Sequence, residues 1–427
     1  MAVVAAVAVL LSLIGGCDGA EDNTASQDQS EQNRALTEQQ AVSELDRLRA
    51  LPYAGYVLEE DDEGGDGVVL HDAERSCPGY TLYSVWERCM AVLIDEQGDV
   101  INSWQAQPGG SWANGELLAN GDYLVVGAEP SELVLPKIAD EARYVLRLNW
   151  AGQVLWKRKL QAHHDIELTP RGQLLTLTFE RRLMPEVHAE IPVRDDLFTL
   201  LSPDGEVLES ISMFDVFVGK PRMFPVQPIP PKRLGGEPWL DLFHSNSIEW
   251  MHQEHLVGQH PIYDLGNVLV CFRHQDRIAV VNWERKELVW SWGRRELSGP
   301  HDAQVLPSGH ILVLDNGLRD RRTRAIEMDP RTGKIVWTYQ APNPRDFFTP
   351  SKGSNQRLPN GNTLIANSDH GQAFEVTPEG EIVWRFLCPQ RTENGRRATI
   401  VRVKRYERAY VERIQALFAQ QPEPTTP

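Results

Sequence analysis

The sequence has no apolar run of membrane-spanning length, no basic stripe and no cysteine pair at zinc or redox spacing. Each absence excludes something. A membrane helix needs about 20 consecutive apolar residues, and the amino-terminal apolar run is shorter than that. Nucleic-acid binding needs clustered positive charge. This chain of 427 residues carries a formal net charge of −17. Its arginine-dense stretch, residues 318–324, sits beside turn signals and reads as solvated loop charge, so no nucleic-acid partner is expected. The five cysteines include no CxxC and no Cys/His spacing of a zinc site. From about residue 53, long helical periodicity is missing until "YERAYVERIQALF" near the carboxyl terminus.

What is present begins with a segment to be set aside. "MAVVAAVAVLLSLIGGCDGAED" resembles a bacterial lipoprotein signal over residues 1–17, with Cys17 as the lipidated residue, although no Lys or Arg precedes its apolar stretch. Export is the expectation, to the periplasm or cell envelope, with the membrane reached through a lipid anchor. Residues 18–50, rich in Gln, Glu, Asp and Ser, read as a polar tether, with a short helix over "EQQAVSELDRLRAL". In an oxidising compartment a disulfide is open to the remaining cysteines. Cys77 and Cys89, close in sequence, are the candidate pair, whereas Cys271 lies in the apolar strand pattern "NVLVCF".

From residue 53 the texture is all-β: short β-branched and aromatic runs between Gly, Pro, Asn and Asp turns. A phrase of Gly, a polar residue, two apolar residues and Trp recurs, ending at Trp156, Trp337 and Trp384, with variants ending at Trp104 and Trp290. "SPDGEVLES" is a further copy without the Trp. Trp290, Trp337 and Trp384 are each 47 residues apart. A strand–turn–strand phrase precedes five of the copies, so one unit holds about four strands, the size of a propeller blade. Residues 53–405 therefore read as a six-bladed β-propeller. The strand "ATIVRVKRY" is expected to complete the first blade and close the ring, which removes exposed sheet edges. Residues 406–427 read as a carboxyl-terminal helix and tail.

The repeat also aligns chemistry. Eight residues ahead of a turn glycine stand Ala113, His164, His301 and Gly353, and the matching segment of the fourth unit opens with His244. Three consecutive blades thus place a histidine at one mouth of the channel. Asn246 shares the face of His244 by strand alternation, and Arg273 follows the inner pair of strands in the same unit. No Ser or Cys nucleophile accompanies them. Imidazole and guanidinium donors suit a tetrahedral oxyanion, a neutral histidine can act as a covalent nucleophile, and three histidines also suit zinc. Asn246 and Arg273 favour the anion, and no metal or cofactor is assigned.

"HSNSIEW", "CFRHQDRIAVVNWERKELVWSWG", "PHDAQ…LVLDNG" and "HHDIEL" resemble the bacterial arylsulfotransferases that use no nucleotide donor, over about residues 100–390. The resemblance implies sulfuryl transfer from an aryl sulfate ester to a phenolic acceptor. It implies a transiently sulfated His301, with His164, His244, Asn246 and Arg273 holding the sulfuryl oxygens. His163 is an alternative to His164, and Lys352 stands on a loop from which it can assist the leaving oxygen; Phe347 and Phe348 on that loop are candidates to stack the aryl ring. The sequence departs from the family in its longer His244-to-Arg273 spacing, in the small amount of chain ahead of the propeller and in Asp302 after the histidine. The Pro-rich insertion 225–243 is expected to be a rim loop or lid. The rival reading is an exported propeller lipoprotein that serves as a protein-binding scaffold.

Overall fold

A computed structural model describes residues 65–106, 110–129, 142–232 and 238–419. The expected signal segment with Cys17, and the tether, lie outside the described residues. The described strands form six sheets, one per expected blade, antiparallel except for the short strand Leu240–Asp241, which pairs parallel to His188–Leu201 in blade 3.

Blade 1 closes the ring. Its innermost strand is Ile400–Tyr406 from the end of the chain, paired to Tyr80–Val85, then Met90–Ile94 and Val100–Gln105. Blade 2 runs from Ser111–Leu117 outward to Val154–Lys159, and blade 3 from His163–Leu168 to Val207–Ser212. Blade 4 runs from Ser245–Trp250 to Glu287–Trp292, and blade 5 from His301–Val305 to Lys334–Tyr339. Blade 6 runs from Asn355–Arg357 to Ile382–Leu387 and gains an unforeseen fifth strand, Gly67–His71. The amino-terminal part of the domain thereby covers that blade's outer edge.

The hairpins explain the spaced glycines. Gly121, Gly172, Gly309 and Gly361 all have φ between 76° and 89°, the left-handed region that glycine enters without a Cβ penalty. Each amide bonds the carbonyl three residues earlier, as Gly309 N does to Leu306 O at 2.8 Å. The repeated tryptophans have a second use. Their Nε1 groups donate to a turn carbonyl of the next blade: Trp104 to Asn149, Trp337 to Pro378, and Trp384 across the closure to Glu96, at 2.8–3.1 Å. In blade 4 the bond is made by Trp292, two residues past the expected Trp290.

Between each pair of neighbouring blades lies one apolar cluster. Phe198, Phe243, Phe272 and Val281 fill the interface of blades 3 and 4, for example, and Tyr83, Val92, Trp384 and Phe386 that of blades 6 and 1. At roughly 1.5–3 kcal/mol per large apolar side chain, these interfaces are the main stabilising element. They also overturn the disulfide expectation. Cys77 belongs to the cluster between blades 6 and 1 and Cys89 to that between blades 1 and 2, so blade 1 separates them; both are free thiols. The helix Arg408–Ala419 follows the closing strand and buries Val411 and Ile414 under blades 1 and 2.

The channel is latched at two levels. At one register position the inner strands present Glu116, Glu167, Glu249, Gln304, Gln356 and Lys404, which face one cavity of about 350 Å³. Glu167 accepts from Trp250 N and Glu249 from Val305 N, both at 2.6 Å, and Lys404 reaches Glu116 at 2.7 Å. Two residues nearer the histidines, Asp165 accepts from Ile248 N at 3.1 Å and Asp302 from Asn355 N at 2.7 Å. Arg402 of the closing strand spans both carboxylates, at 2.8 and 3.2 Å. The aspartates that follow His164 and His301 are therefore inter-blade latches, which accounts for Asp302, whereas His244 is followed by Ser245.

Candidate active site

The inner strands do not begin as regular ladders. Register breaks at or beside Ala113, His164, Asn246 and Asp302 mark the same place in four blades. His164, His244 and Asp302 have φ of 62°, 51° and 49°. Such bulges turn side chains off the sheet face, and left-handed backbone at non-glycine residues is a cost that concentrates at functional sites. At Gly353 φ is 130°, and a Cβ would meet Leu314 Cδ2 at 2.1 Å. That position therefore brings bare backbone to the cavity, with Leu314 packed where a side chain would stand.

His164, Asn246, His301, Asp302 and Lys352 line one small cavity, with Trp86, Asn114 and Gly353 among its other walls. His301 opens its strand and is buried. Its Nδ1 lies 2.6 Å from Asn316 Oδ1 and 3.1 Å from Gly299 O. The Asn316 amide is oriented by donating from Nδ2 to Thr349 O and to Lys352 O, the latter at 2.7 Å. Both neighbours of Nδ1 are thus acceptors. Nδ1 carries the proton, and the lone pair is left on Nε2. Burial and the nearby Arg273 push the imidazole down to about 3, so the ring is neutral at physiological pH.

Asn246 donates to Pro300 O at 2.8 Å, tying blade 4 to the residue before His301. The edge of His164 meets the ring of His244, with centroids 5.1 Å apart. His163 does not share the cavity wall. It lies behind His164, Nδ1 to Nδ1 at 2.5 Å, and turns Nε2 toward Thr178 O and Asp196, at 3.3 and 3.5 Å. Burial, followed by neighbouring positive and imidazole groups, holds His163 down to about 4 and His164 well below the usual range.

Arg273 is buried on the turn after Asn267–Phe272, and its amide bonds His244 O at 3.2 Å. Its guanidinium donates to Pro350 O and contacts His274 Nε2, both at 3.2 Å. His274 gives its Nδ1 proton to Asp241 O at 2.6 Å, which leaves Nε2 to accept from Arg273 and aim it. Lys352 Nζ lies 3.2 Å from Ser351 Oγ and 3.7 Å from Asp369. It stands 5.4 Å from the Trp86 ring, a cation–π distance. Phe347 packs into the core between blades 5 and 6, and Phe348 is also buried, with Arg321 over its ring.

Four contributors were not foreseen: Asn316, Asp241, Lys232 and His274, the last of which lies in the quoted "CFRHQDRI" phrase. Asn316 lies in the quoted "LDNG" phrase, which was the one signal for it. Asp241 and Lys232 come from the Pro-rich insertion: Asp241 Oδ2 lies 2.5 Å from His244 Nδ1 and 2.7 Å from Lys232 Nζ. That insertion is not only a rim loop, since it lays charge against a site histidine. Asp241, His244 and His274 bring ligand-type atoms within 4.8 Å of one another, but the Lys232 ammonium already supplies the cation there.

The fold and the site define a six-bladed propeller whose channel mouth carries a neutral, tautomer-locked histidine beside imidazole, amide and ammonium side chains. The family model for arylsulfotransferase (ASST) matches residues 143–388, which hold every channel-mouth histidine. The chain belongs to the arylsulfotransferase family. None of the curated proteins matches it. Similar solved structures include a protein of unknown function from Bacteroides caccae, 14% identical, covering 77% of this chain and 98% of its own, at a TM-score of 0.49. A functionally unknown protein from Desulfotomaculum acetoxidans DSM 771 is 10% identical, covering 76% and 99%, at 0.43. A catalytically inactive virginiamycin B lyase from Staphylococcus aureus is 10% identical, covering 66% and 71%, at 0.38.

Proposed function

We propose that the protein moves a sulfuryl group from an aryl sulfate ester to a phenolic acceptor by way of a sulfated His301. The observation that carries this reading is the Asn316 lock on His301 Nδ1, in a cavity shared with His164, Asn246 and Lys352. His301 Nε2 attacks sulfur, the sulfur–oxygen bond to the aryl group breaks, and its electron pair leaves on the aryl oxygen. Lys352 gives that oxygen a proton. A phenol then returns a proton to Lys352, its oxygen attacks sulfur, and the nitrogen–sulfur bond breaks. Splitting the transfer into two displacements lowers each barrier. Charge spreads over the sulfuryl oxygens in both, where Asn246 and Arg273 are the preorganised donors and the imidazoles of His164 and His244 complete the clamp.

The amino-terminal Ile-Gly-Gly-Cys17 segment supports export to the cell envelope with Cys17 as a lipid anchor. Palmitate labelling of cells expressing Cys17→Ser against wild type tests that placement.

The transfer itself is tested with 4-nitrophenyl sulfate and varied phenol. Parallel double-reciprocal lines, lost with His301→Asn, are expected. Intersecting lines, or a fully active His301→Asn, would exclude the covalent route.

A further inference from the structure

The clamp has a proton deficit. Asp241 Oδ2 accepts the Nδ1 proton of His244, so in the neutral ring Nε2 presents a lone pair. A lone pair repels a sulfuryl oxygen, and His244 can hold one only after gaining a second proton. The groups around it settle where that charge is tolerated. On its own segment stands Asp241, with Lys232 of the insertion bound to the same carboxylate oxygen. From the turn after Asn267–Phe272 come Arg273 and His274, the latter with its ring centroid 4.5 Å away. From blade 3 comes His164, backed by His163, Arg194 and Asp196, and Arg143 of blade 2 acts on the same cluster. Positive and neutral groups outnumber the carboxylates, so the empty site resists a further proton. Burial pushes the Asp241 carboxyl up, but His244, Lys232 and His274 outweigh it and hold it well below the usual range. Asp241 therefore stays ionised, in contact with His244. An arriving anion, with one negative charge on an aryl sulfate ester and two on inorganic sulfate, shifts the local balance and makes the second proton welcome.

We propose that Asp241 is a positioning residue that turns His244 into an oxyanion donor on demand. Its carboxylate fixes the Nδ1 proton, and capture of a sulfate-type anion draws a second proton onto Nε2. Anion binding and proton uptake are then a single event. This rests on the transferase reading above, because it takes the site's ligand to be a sulfuryl or sulfate group. It adds to that reading a proton taken from solvent with each donor, returned when the sulfuryl group leaves the clamp.

The test is calorimetric titration of the full chain with inorganic sulfate, at one pH, in buffers of different ionisation enthalpy. Sulfate stays a dianion at neutral pH, so any proton taken up goes to the protein. Wild type is expected to take up about one proton per sulfate near pH 7.5, with affinity falling about tenfold per pH unit above that. Asp241→Asn is expected to bind more weakly and to take up fewer protons, and Asp241→Glu to restore uptake. A merely structural role for Asp241 would leave the proton count per bound sulfate unchanged. Buffer-independent binding heats in wild type overturn the proposal whether or not the variants fold, and so does undiminished uptake by Asp241→Asn. In either case intact transfer from 4-nitrophenyl sulfate leaves the parent reading standing. Failure of both sulfate binding and transfer defeats the two together.

Discussion

Replacing Asn316 by alanine isolates what the tautomer lock contributes. In the resting site the Asn316 Oδ1 to His301 Nδ1 bond, at 2.6 Å, joins two uncharged groups. A neutral hydrogen bond is worth about 0.5–1.5 kcal/mol net. When Nε2 attacks sulfur the ring becomes cationic, and the same bond becomes charge-assisted, worth about 1.5–3 kcal/mol. Only the part that grows in the transition state raises kcat. The variant should thus lose about 1–1.5 kcal/mol in kcat and in kcat/KM alike, a fall of roughly 5- to 13-fold. Gly299 O, 3.1 Å from Nδ1, keeps the loss from being larger. The assay is the pre-steady-state burst of nitrophenol from 4-nitrophenyl sulfate. A burst within twofold of wild type would refute the idea that Asn316 holds the nucleophile in its reactive form.

Other consequences follow from named contacts. Arg402→Met leaves two buried aspartates, Asp165 and Asp302, without their shared cation. Breaking a buried pair costs about 3–5 kcal/mol, and for a domain of this size calorimetry should show a melting temperature lower by roughly 4–7 °C; no shift would mean the closing strand is held by other means. Acid should unfold the propeller early. The folded-state pKa values of His163, His164, His244, His274 and His301 are lowered by burial, so below an unfolded value of about 6.5 the unfolded chain binds more protons. That stabilisation is fully present above this pH and is lost as pH falls toward the folded values of about 3 to 4. Glu249, raised by burial to about 7, and Glu167, Asp165, Asp195 and Asp315, also raised by burial, work in the opposite sense. Urea melts at pH 7 and pH 5 should give lower stability at pH 5, and equal values would contradict the buried, neutral assignment. Lys352→Met should cost donors with poor leaving groups more than 4-nitrophenyl sulfate, giving a steeper dependence of rate on phenol pKa. An unchanged slope would remove Lys352 from leaving-group protonation.

Much of this architecture was legible because propeller repeats write the same contact several times. The spaced Trp residues stood out because most cap a turn of the following blade, and the histidine-to-glycine register stood out because each inner hairpin turns in the same way. The closing strand was legible from the unpaired half of the first unit. Blade 4 shows the limit: Trp290 was the sequence match, yet Trp292 makes the inter-blade bond, since two tryptophans one alternation apart share a face. The site was only half legible. His164, His244, His301, Asn246 and Arg273 sit at repeat positions, so alignment could find them. Asp241 and Lys232 lie in an insertion with no counterpart in other blades, and only tertiary packing brings them to His244. Cys77 and Cys89 misled for the opposite reason. Nearness along the chain hid the fact that a sheet stands between them.

The most direct measurement is intact mass spectrometry of the protein after brief exposure to 4-nitrophenyl sulfate. One added sulfuryl group on wild type, none on His301→Asn, and discharge by phenol is the predicted result. An adduct that persists in His301→Asn, or nitrophenol transfer to phenol with no adduct at any time, would contradict the account.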